Sequence, residues 1–231
     1  MLKAVLFDLG DTLVDVSTWK KKFPRAIVNF LFSSYNVPKN IAREKLKITL
    51  EEVEKISKTK EIDKIEEAAR IYSLLLKEAG YSVEKRSIVK FTLEFRNKNL
   101  RVLPYAKEIL NFLRKRGIKL YIVSDAKKDR LRKFLEISKT KQFFIKSFIS
   151  GEEGTRKKEK LFEIFLNSTK LNPKECLMVG NDPESDGAAL RYWIPFCLVS
   201  KDNNTKNYTF KISNLRELKK VLEVFDKSVE P

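Results

Sequence analysis

Ala4-Val5-Leu6-Phe7-Asp8 is the stretch that decides the fold. Four apolar residues follow one another without alternation and stop at a carboxylate. That is the pattern of a strand buried on both faces with a loop at its carboxyl end. From about Val16 to Leu100 the period becomes helical. Phe23, Ile27, Phe30 and Leu31 form one stripe, and Leu46, Leu50 and Val53 a second. Ile62, Ile65, Ala69, Tyr72 and Leu76 make a third, and Ile88, Phe91 and Phe95 a fourth. Asn36-Val37-Pro38 and Gly80 fall where helices should end. Four amphipathic helices with no strand between them predict a small bundle that buries its own stripes.

After Pro104 strands and helices alternate. A helix carrying Ala106, Ile109, Leu110 and Leu113 stops at Gly117, and the strand Leu120-Tyr121-Ile122-Val123 ends at Ser124-Asp125. A helix with Leu131, Phe134 and Leu135 leads to a strand around Phe148-Ile149, and a helix with Leu161, Ile164 and Phe165 follows. The strand Cys176-Leu177-Met178-Val179 reaches Gly180-Asn181-Asp182; a strand at Phe196–Val199 and a helix over Leu215, Leu218 and Leu222 close the pattern. Alternation of this kind predicts an α/β fold, a doubly wound parallel sheet covered on both faces. The predicted core comprises residues 1–15 and 101–231, with the helical bundle, residues 16–100, inserted after the first strand.

With 231 residues, 42% hydrophobic and 11% aromatic, the chain can bury a substantial core and is no disulfide-framed miniprotein or disordered tail. No apolar run approaches the ~20 residues that span a bilayer, and Asp8 interrupts the first apolar segment, so no signal peptide or membrane association is expected. Two cysteines, Cys176 and Cys197, point to a reducing cytoplasm. The chain has no histidine, which excludes His-based triads and His-ligated zinc and leaves carboxylates, lysines and hydroxyls for chemistry. The net charge of +17, from 48 basic and 31 acidic residues, allows a nucleic-acid partner. Both signs are interleaved, however, as in Glu51-Glu52-Val53-Glu54-Lys55, which favours a solvated surface without specific nucleic-acid binding.

Polar residues gather where three apolar strands run out: Asp8 and Asp11, Ser124, and Asp182 with Asp186. Ligands of open α/β sheets bind beyond the carboxyl ends of the strands. Asp also caps helices, and one such site alone would be read that way. Several at successive strand ends predict three or four carboxylates brought together, a charge that a bound cation would resolve. All-oxygen ligands favour a hard ion, Mg2+ first.

Phe7-Asp8-Leu9-Gly10-Asp11-Thr12-Leu13 resembles the first motif of the haloacid dehalogenase-like hydrolases. Val123-Ser124-Asp125 resembles the second motif, and Gly154-Thr155-Arg156-Lys157 stands where the family places its lysine, although Lys158 replaces a common proline. Val179-Gly180-Asn181-Asp182-Pro183-Glu184-Ser185-Asp186 resembles the acidic fourth motif. The four motifs come in order, from Leu2 to at least Ala189. The resemblance implies a Rossmann-like core with a helical cap, and an enzyme that hydrolyses a small phosphorylated metabolite, as a monomer or homodimer. Asp8 would be the nucleophile and form an aspartyl-phosphate. Mg2+ would be held by Asp8, the Gly10 carbonyl and the fourth-motif residues Asn181, Asp182 and Asp186. Ser124 and Asp125 would lie at the phosphate, and Lys157 would balance the charge and fix the phosphoryl group.

Two departures from the family pattern bear on mechanism. Many of its phosphatases carry an acid two residues after the nucleophile; here that position is Gly10, and Asp11, one residue later, is the catalytic candidate to replace it. The first fourth-motif carboxylate is Asn181, with Asp182 following it. True haloacid dehalogenases also lack the second Asp and use no metal, so a metal-independent 2-haloacid dehalogenase is an alternative, but they carry a bulky aromatic where this chain has Gly10. A non-catalytic or nucleic-acid-binding relative is a third reading. The cap implied by the resemblance would set specificity. Trp19, Lys20, Lys21, Lys22 and Arg25 open its first helix, where a solvated charged face is expected.

Overall fold

The first strand of the computed structural model, β1 (Ala4–Phe7), is wholly buried, as an uninterrupted apolar run requires. The structure describes residues 1–59, 63–202 and 207–227. A two-residue strand, β2 (Val14–Asp15), follows β1, and then come four helices, α1 (Ser17–Tyr35), α2 (Lys39–Thr59), α3 (Lys64–Glu78) and α4 (Lys85–Asn99). The chain continues through β3 (Arg101–Val102), α5 (Ala106–Lys115), β4 (Lys119–Ser124), α6 (Lys128–Ser138), β5 (Lys146–Ile149), α7 (Ser150–Glu153) and α8 (Leu161–Thr169). It ends with β6 (Cys176–Gly180), β7 (Phe196–Val199), β8 (Phe210–Ile212) and α9 (Leu218–Lys227). Two compact units result, Met1–Val16 with Arg101–Pro231, and Ser17–Leu100.

In the first unit six strands form a parallel sheet in the order β5-β4-β1-β6-β7-β8. Phe7 stands opposite Ile122 of β4 and Val179 of β6, so the residue after β1 emerges between two neighbouring strand ends. The path from β1 leads to β4 on one side, and that from β6 to β7 on the other. Loops that part in this way leave a crevice at the carboxyl edge of the sheet. Beneath it, Leu6 and Met178 pack with Phe148, Phe162, Phe165 and Phe196 on one face. Phe148 and Phe165 meet edge to face at 5.4 Å. The pleat turns Val5 and Phe7 to the opposite face. Cys176 and Cys197 are buried free thiols, and burial pushes each up to about 12.

In the second unit Ile27, Leu31, Leu46, Ala69, Tyr72, Leu76 and Ile88 share one core, with contributions from all four helices. The Asp63 carboxylate caps α3 by accepting the N–H groups of Ile65 and Glu66. Phe30 of α1 stacks on Phe91 of α4 at 4.3 Å. Within α1, Pro24 removes one helical donor without ending the helix.

Leu50, assigned to the second stripe by its spacing, is 48% exposed. Ile62 lies outside the described residues. Strands β2, β3 and β8, the short α7 and a 3-10 helix at Gly187–Tyr192 were not expected from the periodicity. None of the described helices is long and apolar enough to cross a membrane.

Candidate active site

Asp8 continues the ladder of β1, its N–H donating to the Val179 carbonyl at 3.0 Å, and its side chain enters the crevice edge. Its Oδ1 accepts from Ser124 Oγ, at the last position of β4, at 2.8 Å, and from Lys157 Nζ at 2.7 Å. Lys157 Nζ also pairs with Asp186 Oδ1. Both Lys157 and Asp186 are buried, whereas Lys158 is half-exposed and pairs with Glu184. The other oxygen of Asp186 accepts the Asp182 N–H at 2.9 Å. Close approach explains Gly180: a Cβ there would fall 2.1 Å from Asp186 Oδ2, so any side chain would displace the buried carboxylate.

One ammonium thus stands between two buried carboxylates. Burial is the largest influence on Lys157 and works against its charge, yet Asp8, Asp186 and Asp125 together outweigh it and drive the pKa up. Burial raises the Asp186 carboxyl, and the nearby charge of Asp8 adds to the effect, while Lys157 opposes both. The strand-end spacing predicts three or four carboxylates around one cation. Among the described residues no such group of three acids forms. The physical reason is visible in the geometry: Lys157 supplies the positive charge to Asp8 and Asp186 itself.

Asp125 serves a different set of donors. Its Oδ1 accepts the Lys157 backbone N–H at 2.9 Å and Ser150 Oγ at 2.6 Å, and its Oδ2 accepts Ser185 Oγ at 2.7 Å. Burial alone would raise this carboxyl, but Lys157 and the three donors hold it below the ordinary carboxylate value. One carboxylate therefore ties the end of β4 to the start of α7 and to the loops that carry Lys157 and Ser185. Ser150 and Ser185 did not figure among the candidate residues. Their only sequence signal is position, one directly after β5 and the other beside Asp186.

Of the remaining candidates, Asp11 and Asp182 are engaged within their own loops, and Asn181 meets the first-motif loop. Asp11 adopts φ 54°, and its Oδ1 accepts the Val16 N–H at 2.8 Å. Asp182 Oδ1 accepts the N–H groups of Glu184 and Ser185 at 2.9 and 3.0 Å, a turn that shapes the fourth-motif loop. The Asn181 amide oxygen receives Thr12 Oγ1 at 3.4 Å. The donors of these loops that could meet a metal are all oxygens: the Asp8 carboxylate, the Asn181 amide and the Gly10 carbonyl. Mg2+ is commonly held by one or two carboxylates plus water and substrate phosphate, so the donor chemistry fits that ion without a cage of three acids.

An aspartate at the carboxyl end of a central strand, flanked by a hydroxyl from the neighbouring strand and a lysine from a following loop, lies in an α/β core where ligands of open sheets bind. The chain belongs to the haloacid dehalogenase-like hydrolases, whose family model matches residues 2–192. It is 27% identical over 156 residues to the phosphoserine phosphatase of Thermus thermophilus, an alignment covering 64% of this chain and 62% of that relative. Its fold is similar to that of the HAD-hydrolase YfnB from Bacillus subtilis, solved with bound magnesium, with a TM-score of 0.72, 21% identity, and coverage of 96% of this chain and 99% of that one. The HAD phosphatase from Thermococcus onnurineus superposes with a TM-score of 0.69 and 22% identity, covering 96% and 98% of the two chains.

Proposed function

We propose that this hydrolase is a Mg2+-dependent phosphatase acting on a small phosphate monoester through an aspartyl-phosphate on Asp8. The observation that supports it most is the double hold on Asp8 Oδ1 by Ser124 and Lys157. It fixes the carboxylate and leaves Oδ2 to attack. Attack forms a bond from Asp8 to phosphorus and breaks the ester P–O bond; the leaving oxygen keeps the electron pair and takes up a proton. Water then attacks phosphorus, frees the Asp8 carboxylate and releases phosphate. Ser124 and Lys157 bind the phosphoryl oxygens in the proposed complex, and Asp125 acts through Lys157 by fixing its backbone. We assign the ion to Asp8, the Gly10 carbonyl and Asn181; Asp186 is committed to Lys157 and Asp182 to its own turn. When bound, Mg2+ neutralises charge between the nucleophile and the phosphoryl oxygens.

The named activity of the Thermus thermophilus relative makes phosphoserine one compound to test. The buried free thiols of Cys176 and Cys197 support a reducing, cytoplasmic setting. A second reading, a metal-independent 2-haloacid dehalogenase, draws on the charge balance that Lys157 already gives Asp8 and Asp186. A screen of phosphorylated metabolites, aryl phosphates and 2-haloacids, each with and without Mg2+, separates the two. Phosphate release that requires the metal is the expected result. Halide release without metal would replace the phosphatase reading with the dehalogenase one.

A further inference from the structure

The cations of the helical unit are unevenly paired. Lys45, Lys55, Lys64, Arg70 and Lys85 each form an ion pair with a glutamate. Lys39, Arg43, Lys47 and Arg25 form none among the described residues. The three residues of α2 stand at i, i+4 and i+8, so they form one row about 12 Å long. Together with Arg25 of α1 they line a cleft of about 670 Å³ between these two helices. No acidic residue lines it among the described residues. Its floor is apolar, made by buried Val28 and Leu46, and Leu50 reaches it while 48% exposed. Next to it, Phe32 is 50% exposed beneath the Lys39 ammonium, which lies 4.9 Å from the ring centroid.

Four cations grouped without a counter-charge repel one another, and an exposed leucine beside them gains nothing from water. An anion with an apolar part relieves both. We propose that this cleft binds a small amphiphilic polyanion of the nucleoside di- or triphosphate class, its phosphates along the α2 row and its base on the apolar floor. The volume falls within the range of small-molecule sites, roughly 300–1,000 Å³. A lone phosphate would leave most of the row unanswered. An extended nucleic-acid backbone is disfavoured because Glu51, one turn beyond Lys47, ends the row with a negative charge.

The inference is independent of the phosphatase reading, since the cleft residues belong to the Ser17–Leu100 unit and its test needs no turnover. Calorimetric titration of the full chain with a non-hydrolysable ATP analogue and with tripolyphosphate provides that test. Both should bind. The double variant Arg43→Gln/Lys47→Gln should weaken both about tenfold or more. Leu50→Ser should weaken the analogue while sparing tripolyphosphate. Because these cleft positions are exposed, thermal melts that match the wild type will show that folding is intact. Failure of either probe to bind, or unchanged affinity in the double variant, would overturn the proposal. So would tighter binding of a single-stranded oligonucleotide than of the analogue, which would make the row a nucleic-acid surface.

Discussion

Gly10 stands where many family phosphatases carry the acid that protonates the leaving oxygen, and Asp11 Oδ1 is occupied by the Val16 N–H. General acid assistance is typically worth ~100- to 10,000-fold. We therefore expect aryl, acyl and anomeric phosphates, whose leaving groups need little protonation, to react much faster than simple alkyl phosphates. Rates measured against leaving-group pKa for wild type, Gly10→Asp and Asp11→Asn check this. If Asp11 supplies the proton after all, Asp11→Asn will slow alkyl phosphates far more than aryl ones. A flat wild-type series with Asp11→Asn unchanged would contradict both versions. Asp125 makes a second test at this scale. Replacing its carboxylate with an amide sets an NH2 group against an existing donor, which should cost about 1–3 kcal/mol and lower kcat through the displaced Lys157. The Asp125 carboxyl is held below its ordinary value near ~3.9, so its stabilisation is fully present above that value. It is lost as pH falls through the depressed value. The gap in urea midpoint between wild type and Asp125→Asn should therefore be full at pH 7 and narrow as pH falls below the ordinary carboxylate value; a gap that stays constant across that range would refute the assignment.

Among the elements, the α2–α3 pair shows how one polar contact can lock a bundle. Buried Tyr72 donates its hydroxyl to the Ala42 carbonyl at 2.6 Å. Tyr72→Phe keeps the ring and strands the carbonyl, so chemical denaturation should show a loss of about 1–2 kcal/mol, with the activity of the folded enzyme retained. No measurable loss would mean that the bond contributes nothing net. Long periodic elements such as α1 to α4, and apolar strands such as β1 and β6, were legible in the sequence because burial on one stripe or both faces writes itself into spacing. The three-residue β8 and the two-residue β2 and β3 were not, since so few residues carry no period. Leu50 was placed in the core because its spacing matched; only the packing of α1 beside α2 shows that it borders a cleft. The candidate site divides in the same way. Asp8, Ser124, Lys157 and Asp186 were visible as polar residues at strand ends and by motif. The bonds from Asp125 to Ser150 and Ser185 span 25 and 60 residues, and nothing local in the sequence records them.

For the molecule as a whole, every side chain in the proposed chemistry belongs to the Met1–Val16 and Arg101–Pro231 unit, although the helical unit interrupts that chain between β2 and β3. Parallel pairing of β1 with β4 and β6 makes this possible: it sets Asp8 between strands that are far away in sequence but adjacent in the sheet. The account rests on Asp8 becoming covalently phosphorylated. Saturating wild-type enzyme with a good phosphate ester, quenching in acid and reducing with borohydride converts an aspartyl-phosphate to homoserine, which peptide mass spectrometry detects. We expect homoserine at position 8 in the wild type and none in Asp8→Asn, which should also have lost turnover. Steady phosphate release with residue 8 unmodified at every quench time, or full turnover by folded Asp8→Asn, would contradict the mechanism.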